Sequence, residues 1–237
     1  MQPGIVGQSE PVPPPPPMIA PVKKFNGKII GGLVLVVLAL IFAGIALTGA
    51  WWSWNMKASA MGITMEQKVE FGLGQACMSG IASQCFAYTS AENSKMMGVF
   101  SLIQILTILG LVMAILTLVL IIVGAGKPKM KIAVLLFGII GAIMLLLAVV
   151  FAFSSLPTAF NDDVAAGGGI SGFSAVSGFF GSASINLMGT SMELTYGGGL
   201  GWMMALIGFI MLLLGALVAM AGMKAAPVPP PMPAPPM

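Results

Sequence analysis

The sequence predicts an all-α membrane protein: an antiparallel bundle of four transmembrane helices carrying a small β-containing cap. Three observations predict it. Of the 237 residues, 58% are hydrophobic and only 7% are charged, against roughly 25% charged in soluble domains. Four uncharged runs, 29–50, 96–124, 132–153 and 200–223, each reach the ~20 apolar residues a spanning helix needs. Between the first two runs lies a longer, polar-containing stretch, 51–95, which holds both of the chain's cysteines, Cys77 and Cys85.

The distribution of charge predicts orientation. Four spans put both termini on one side. That side holds Lys23, Lys24, Lys28, Lys127, Lys129, Lys131 and Lys224 against Glu10. The other holds Lys57, Lys68 and Lys95 against Glu66, Glu70, Glu92, Asp162, Asp163 and Glu193. Lysines gather in cytoplasmic loops, so both termini are expected in the cytoplasm and the loops 51–95 and 154–199 outside. Cysteines that pair also need an oxidising compartment, which points the same way.

Residues 1–28 form a proline-rich lead that includes Pro13 through Pro17. Consecutive prolines exclude helix and sheet interiors, leaving polyproline II or disorder. The tail, 224–237, repeats this composition. Both read as solvated ends, or as segments for a cytoplasmic partner that reads proline-rich chains. The first apolar run is longer than the core of a cleavable signal and follows this lead, so it reads as an uncleaved anchor.

Span one carries small residues at Gly31, Gly32, Ala39, Ala43, Gly44 and Thr48, which allow close helix approach. Trp51, Trp52 and Trp54 follow it. Trp51 and Trp52, with Trp202 at the start of span four, are expected as interfacial anchors. In the first loop Ile63, Met65, Val69, Phe71 and Leu73 alternate with Glu66, Lys68 and Glu70, predicting a half-buried antiparallel strand. Spacing does not decide whether Cys77 and Cys85 are bridged or are two free buried thiols. Spans two and three are joined by residues 125–131, a tight cationic connection that imposes an antiparallel hairpin. Its lysines suit an anionic lipid surface and do not form a nucleic-acid patch.

The second loop, 154–199, is rich in glycine. Within it Ile170, Phe173, Val176 and Phe180 recur at helical spacing, although the glycines between them disfavour an isolated helix. Phe173, Val176, Phe179 and Phe180 are expected to form an assembly surface, packed on the first loop, the bilayer or a neighbouring protein. Span four presents a stripe of Gly201, Ala205, Gly208, Gly215 and Ala219.

The chemistry of catalysis is sparse. The chain has no histidine, and no charged residue falls within a span, where transport chemistry usually leaves one. Asp162 and Asp163 read as solvated carboxylates rather than a calcium site. No catalytic, cofactor-binding or metal-ligating set is expected, and the chain does not read as an enzyme. The methionines read as polarizable gap-fillers.

Trp54, then Gly72-Leu73-Gly74-Gln75-Ala76-Cys77, then Cys85 resembles the claudin and peripheral-myelin-protein superfamily, whose first loop has a tryptophan, then Gly-Leu-Trp, two residues, Cys, a spacer and Cys. The glycine-to-cysteine spacing agrees. Gly74 stands where the family has its second tryptophan, and the gap between the cysteines is shorter. The resemblance implies a small sheet, made by the first loop and part of the second, above a left-handed four-helix bundle. It also implies lateral polymerisation, adhesion at cell junctions, paracellular charge selection or an auxiliary role beside larger membrane proteins.

The leading expectation is a non-enzymatic multi-pass structural protein of the plasma membrane. It would be a homo-oligomer or a subunit of a membrane complex, associating through its outer loops and small-residue helix faces. The alternatives are an oligomeric pore lined by Gln104, Thr107 and Thr117, or an auxiliary subunit of a larger membrane protein.

Overall fold

The computed structural model describes residues 26–60, 63–87, 94–125, 127–166, 176–187 and 190–223. The proline-rich ends, Ile170 and Phe173 lie outside the described residues.

Four helices, α1 (Gly27–Thr48), α2 (Lys95–Gly124), α3 (Lys131–Ala166) and α4 (Leu200–Gly222), are long and apolar enough to cross a membrane. The chain is a multi-pass membrane protein. Asn26 caps α1 through its side chain, which accepts from the Lys28 amide, and its Nδ2 donates to the Gly222 carbonyl, joining the start of α1 to the end of α4. Ser94 caps α2. A single 3₁₀ turn, Pro128–Met130, reverses the chain between α2 and α3.

Small residues set the helix contacts. A Cβ built at Gly32 would lie 2.6 Å from the Ala219 Cβ, and one at Gly215 would lie 2.8 Å from Val36 Cγ2. One at Gly110 would meet Leu145 Cγ at 2.8 Å. The stripe Gly201, Ala205, Gly208, Gly215 and Ala219 is buried throughout. Ala39 and Ala43 face it from α1, fully buried. These buried positions hold the four helices together within one chain, whereas Gly44 is open, with nothing within 4 Å of a Cβ built there. The outward surfaces carry Ile41, Ile105, Leu136 and Val150, each about half exposed, as lipid contact demands.

The helices differ in length. At 1.5 Å per residue the 22 residues of α1 and 23 of α4 span about 33–35 Å, close to the ~30 Å hydrocarbon core. The 30 residues of α2 and 36 of α3 reach about 45 and 54 Å. These two are therefore longer than the hydrocarbon core is thick, and they pack together as a helical hairpin. The expected end of span three at 153 is where α3 leaves the apolar run, not where its helix stops. It passes through Pro157 because Leu156, Ala159 and Phe160 present a buried face to the cap.

The cap is one six-stranded antiparallel sheet of order β4-β3-β2-β1-β6-β5. The first loop supplies β1 (Trp52–Ala60), β2 (Ile63–Phe71), β3 (Gln75–Gly80) and β4 (Gln84–Ala87). The second supplies β5 (Gly181–Leu187) and β6 (Thr190–Gly198). Central strand β1 pairs with β2 in the register Trp52↔Phe71 and with β6 in the register Trp52↔Gly198. The alternating strand expected from residue 63 is β2. Only its membrane-proximal end is covered: Ile63 and Met65 are 62% and 50% exposed, while Phe71 is half-buried.

Candidate functional site

Where α1 ends, the chain folds directly back into β1, which turns the first indoles inward. The Trp51 amide donates to the Phe71 carbonyl at 2.7 Å, Gly199 N donates to Trp51 O at 3.1 Å, and Gly201 N donates to Ala50 O at 2.6 Å. These bonds tie both loops and the first turn of α4 into one junction. Helix ends leave carbonyls unpaired, and Trp51 Nε1 donates to one of them, Ala46 O, at 2.6 Å. Trp52 Nε1 donates to Phe179 O at 3.0 Å.

The placement of Trp51 and Trp52 as interfacial anchors is therefore corrected. Their exposures are 0% and 1%, so neither ring reaches a headgroup layer. They form the core between the sheet and the bundle. Trp52 meets Phe160 edge-on at 5.4 Å and Tyr196 at 6.1 Å. Trp202 is half-buried, with Nε1 donating to Val149 O at 3.2 Å and its ring against Phe179 at 5.4 Å.

The motif residues converge on the same junction. Trp54 stacks on Phe71 at 5.8 Å and meets Phe160 edge-on at 5.3 Å. Its Nε1 is buried and has no hydrogen-bond partner among the described residues. Gly72 opens the turn into β3, its amide donating to Gln75 O at 2.9 Å, and Leu73 is buried beside Trp51 and Trp52. Gly74 is exposed, and a Cβ built there meets nothing within 4 Å. Cys77 and Cys85 face each other across β3 and β4 with Cα atoms 4.0 Å apart, and they are bridged.

Of the expected assembly residues, Val176 and Phe179 are 4% and 2% exposed. They fill the junction beside Trp52 of the first loop, the first of the three packings expected for them, and so offer no surface to a partner. Phe180 is 55% exposed, with its ring on Phe179 and Trp202. Phe173 lies outside the described residues. The helical spacing that linked these positions gives way at residue 181 to the β5–β6 hairpin.

Gln104 does not share the buried face of α2 that holds the other two polar positions. Thr107 and Thr117 are buried, and each hydroxyl donates to the carbonyl four residues earlier in its own helix at 2.8 Å. Gln104 is on the outside of the bundle.

Two residues missed as structural elements, both near the end of α3, tie it to α2 and to the second loop. Asp163 accepts from Ser94 Oγ at 2.5 Å, from the Lys95 amide at 2.6 Å and from the Met96 amide at 3.0 Å. It thus caps α2 from another helix. Asn161 grips Val176 at both ends, donating to its carbonyl at 2.8 Å and accepting from its amide at 2.9 Å. A run of Asn-Asp-Asp just past an apolar span was their signal in the sequence.

The surfaces left open are on the cap. On the apolar side of the sheet Met56, Ile63, Met65 and Phe86 are 36–62% exposed, and edge strand β4 is exposed along its whole length. The other face carries a 570 Å³ cleft bounded by Lys57, Ser59, Thr64, Ser182, Ser184 and Glu193. No protein-family model matches the chain, and comparison with curated proteins finds no match.

Proposed function

We propose that the protein is a non-enzymatic structural component of the plasma membrane, joining to itself or to another membrane protein through its cap. The observation that carries this reading is one face of the sheet on which Met56, Ile63 and Met65 are exposed towards the β1–β2 turn and Phe86 is exposed on the uncovered edge strand β4. Exposed apolar patches and free strand edges are the features proteins otherwise suppress unless a partner covers them. Most of the small residues on the helix faces are occupied within the chain, which favours the cap as the surface for assembly.

The cap lies outside the cytosol in this reading, with both termini inside. The Cys77–Cys85 bridge persists where thiols oxidise, and the lysine bias agrees. The resemblance to claudins and peripheral myelin protein supports an adhesive or junctional role, since a sheet drawn from both loops over four helices is what it implied.

The test is the mass of the full chain extracted in mild detergent. The expected result is a multiple of 24.3 kDa that falls to a single chain in the Ile63→Ser, Phe86→Ser double variant. A wild-type monomer overturns self-association and leaves only a different membrane protein as partner, and an oligomer indifferent to both substitutions overturns the cap as the assembly surface. Conductance in bilayers that depends on Gln104 replaces it with a pore.

A further inference from the structure

Along the outer reach of the α2–α3 hairpin runs a cleft of 330 Å³, at the small end of the roughly 300–1,000 Å³ typical of ligand pockets. Lys95 and Val99 of α2 and Phe151, Ser154, Ser155, Thr158, Ala159 and Asp162 of α3 line it. Its depth follows from two bonds. Trp202 Nε1 meets Val149 O, which places the first turn of α4 level with that part of α3. The Lys95 amide meets Asp163, which places the start of α2 level with the upper part of α3. The cleft therefore begins beside the first turn of α4 and rises about 16 Å, the length of residues 151–162 in a helix, to the start of α2.

Polarity changes in order along this rise. Phe151 lies at the bottom, the hydroxyls of Ser154, Ser155 and Thr158 follow, and the two charges of opposite sign, Lys95 and Asp162, are at the top. Both charged residues are exposed, and neither has an ion-pair partner among the described residues. An acyl chain, a glycerol ester and a zwitterionic headgroup follow one another in the same order in a phospholipid.

We propose that this cleft is a binding site for one zwitterionic phospholipid, with its phosphate on Lys95, its amine on Asp162 and its ester oxygens on the serine and threonine hydroxyls. A purely anionic headgroup would set a negative charge against Asp162, and a headless diacylglycerol would leave both charges unanswered. The ligand class follows from that pairing of signs, and the site does not depend on how the cap associates.

The test is native mass spectrometry of the full chain in detergent, titrated with phosphatidylethanolamine, with phosphatidylglycerol and diacylglycerol of the same acyl chains, and with soluble phosphoethanolamine. One phosphatidylethanolamine is expected to be retained in preference to the other two lipids, and not to be displaced by phosphoethanolamine. Lys95→Gln is expected to lower its retention about fivefold, the effect of one lysine at a lipid surface. Asp162→Asn, a second exposed position, is expected to shift the preference towards phosphatidylglycerol. Far-UV circular dichroism checks that both variants are folded. Equal retention of all three lipids, unchanged retention in both variants, or displacement by phosphoethanolamine alone overturns the proposal.

Discussion

Trp52 and Trp54 stand two residues apart on one face of β1, and their indole N–H groups differ in state. That of Trp52 reaches the Phe179 carbonyl, while that of Trp54 is buried without a partner among the described residues. Removing one member of a buried hydrogen bond costs about 1–3 kcal/mol, whereas removing a buried group that has no partner relieves a penalty. Trp52→Phe is therefore expected to lower the unfolding midpoint in detergent clearly more than Trp54→Phe. Equal losses would contradict the assignment. Asp163 accepts three hydrogen bonds across the hairpin, and Asp163→Ala is expected to cost about 1–2 kcal/mol, the upper range for a lost cap. Thermal unfolding measured by tryptophan fluorescence reads the difference. The presence of these side chains was plain in the sequence, but their partners were not. Phe179 is 127 residues from Trp52, and Met96 is 67 from Asp163, and no local periodicity carries such information.

Among the elements, the helices were the most legible, because hydrocarbon excludes charge and the uncharged runs mark themselves. β2 was legible for the opposite reason: charges at Glu66, Lys68 and Glu70 alternate with apolar residues. Strand β1 was hidden behind its tryptophans, which as readily suggest a membrane surface. In β6, Met192, Leu194 and Tyr196 also alternate with polar residues, but the run is short and flanked by glycines, which blurs its period. The β3–β4 hairpin is bridged by a disulfide with a sequence separation of 8, and closing so short a loop contributes about 2–3 kcal/mol. Cys77→Ser with Cys85→Ser is expected to raise hydrogen exchange in β3 and β4 while leaving the four helices protected. Exchange rising in α1 or α4 as well would make the bridge a support of the whole fold. Gly215 touches Val36 across α1 and α4, and Gly215→Leu is expected to cost at least the 1–3 kcal/mol of an overpacked core, read as a lower midpoint of unfolding.

For the whole molecule, β1 is the strand on which the two loops meet. Its partner β2 follows at once, but its other partner is distant, with Ala58 paired to Met192. A ribosome reaches that second partner only after α2 and α3 have been made. Through that interval the nascent chain carries a half-built sheet whose middle strand has a free side, and long-range strand pairing of this kind is slow and prone to capture by other chains. A chain halted at Ala166 is expected to keep three helices yet be cut by protease within β1 and β2, where the full chain resists. Insertion of the last helix is thus also the step that seals the sheet, so quality control acting on unfinished copies would find its target in the open flank of β1.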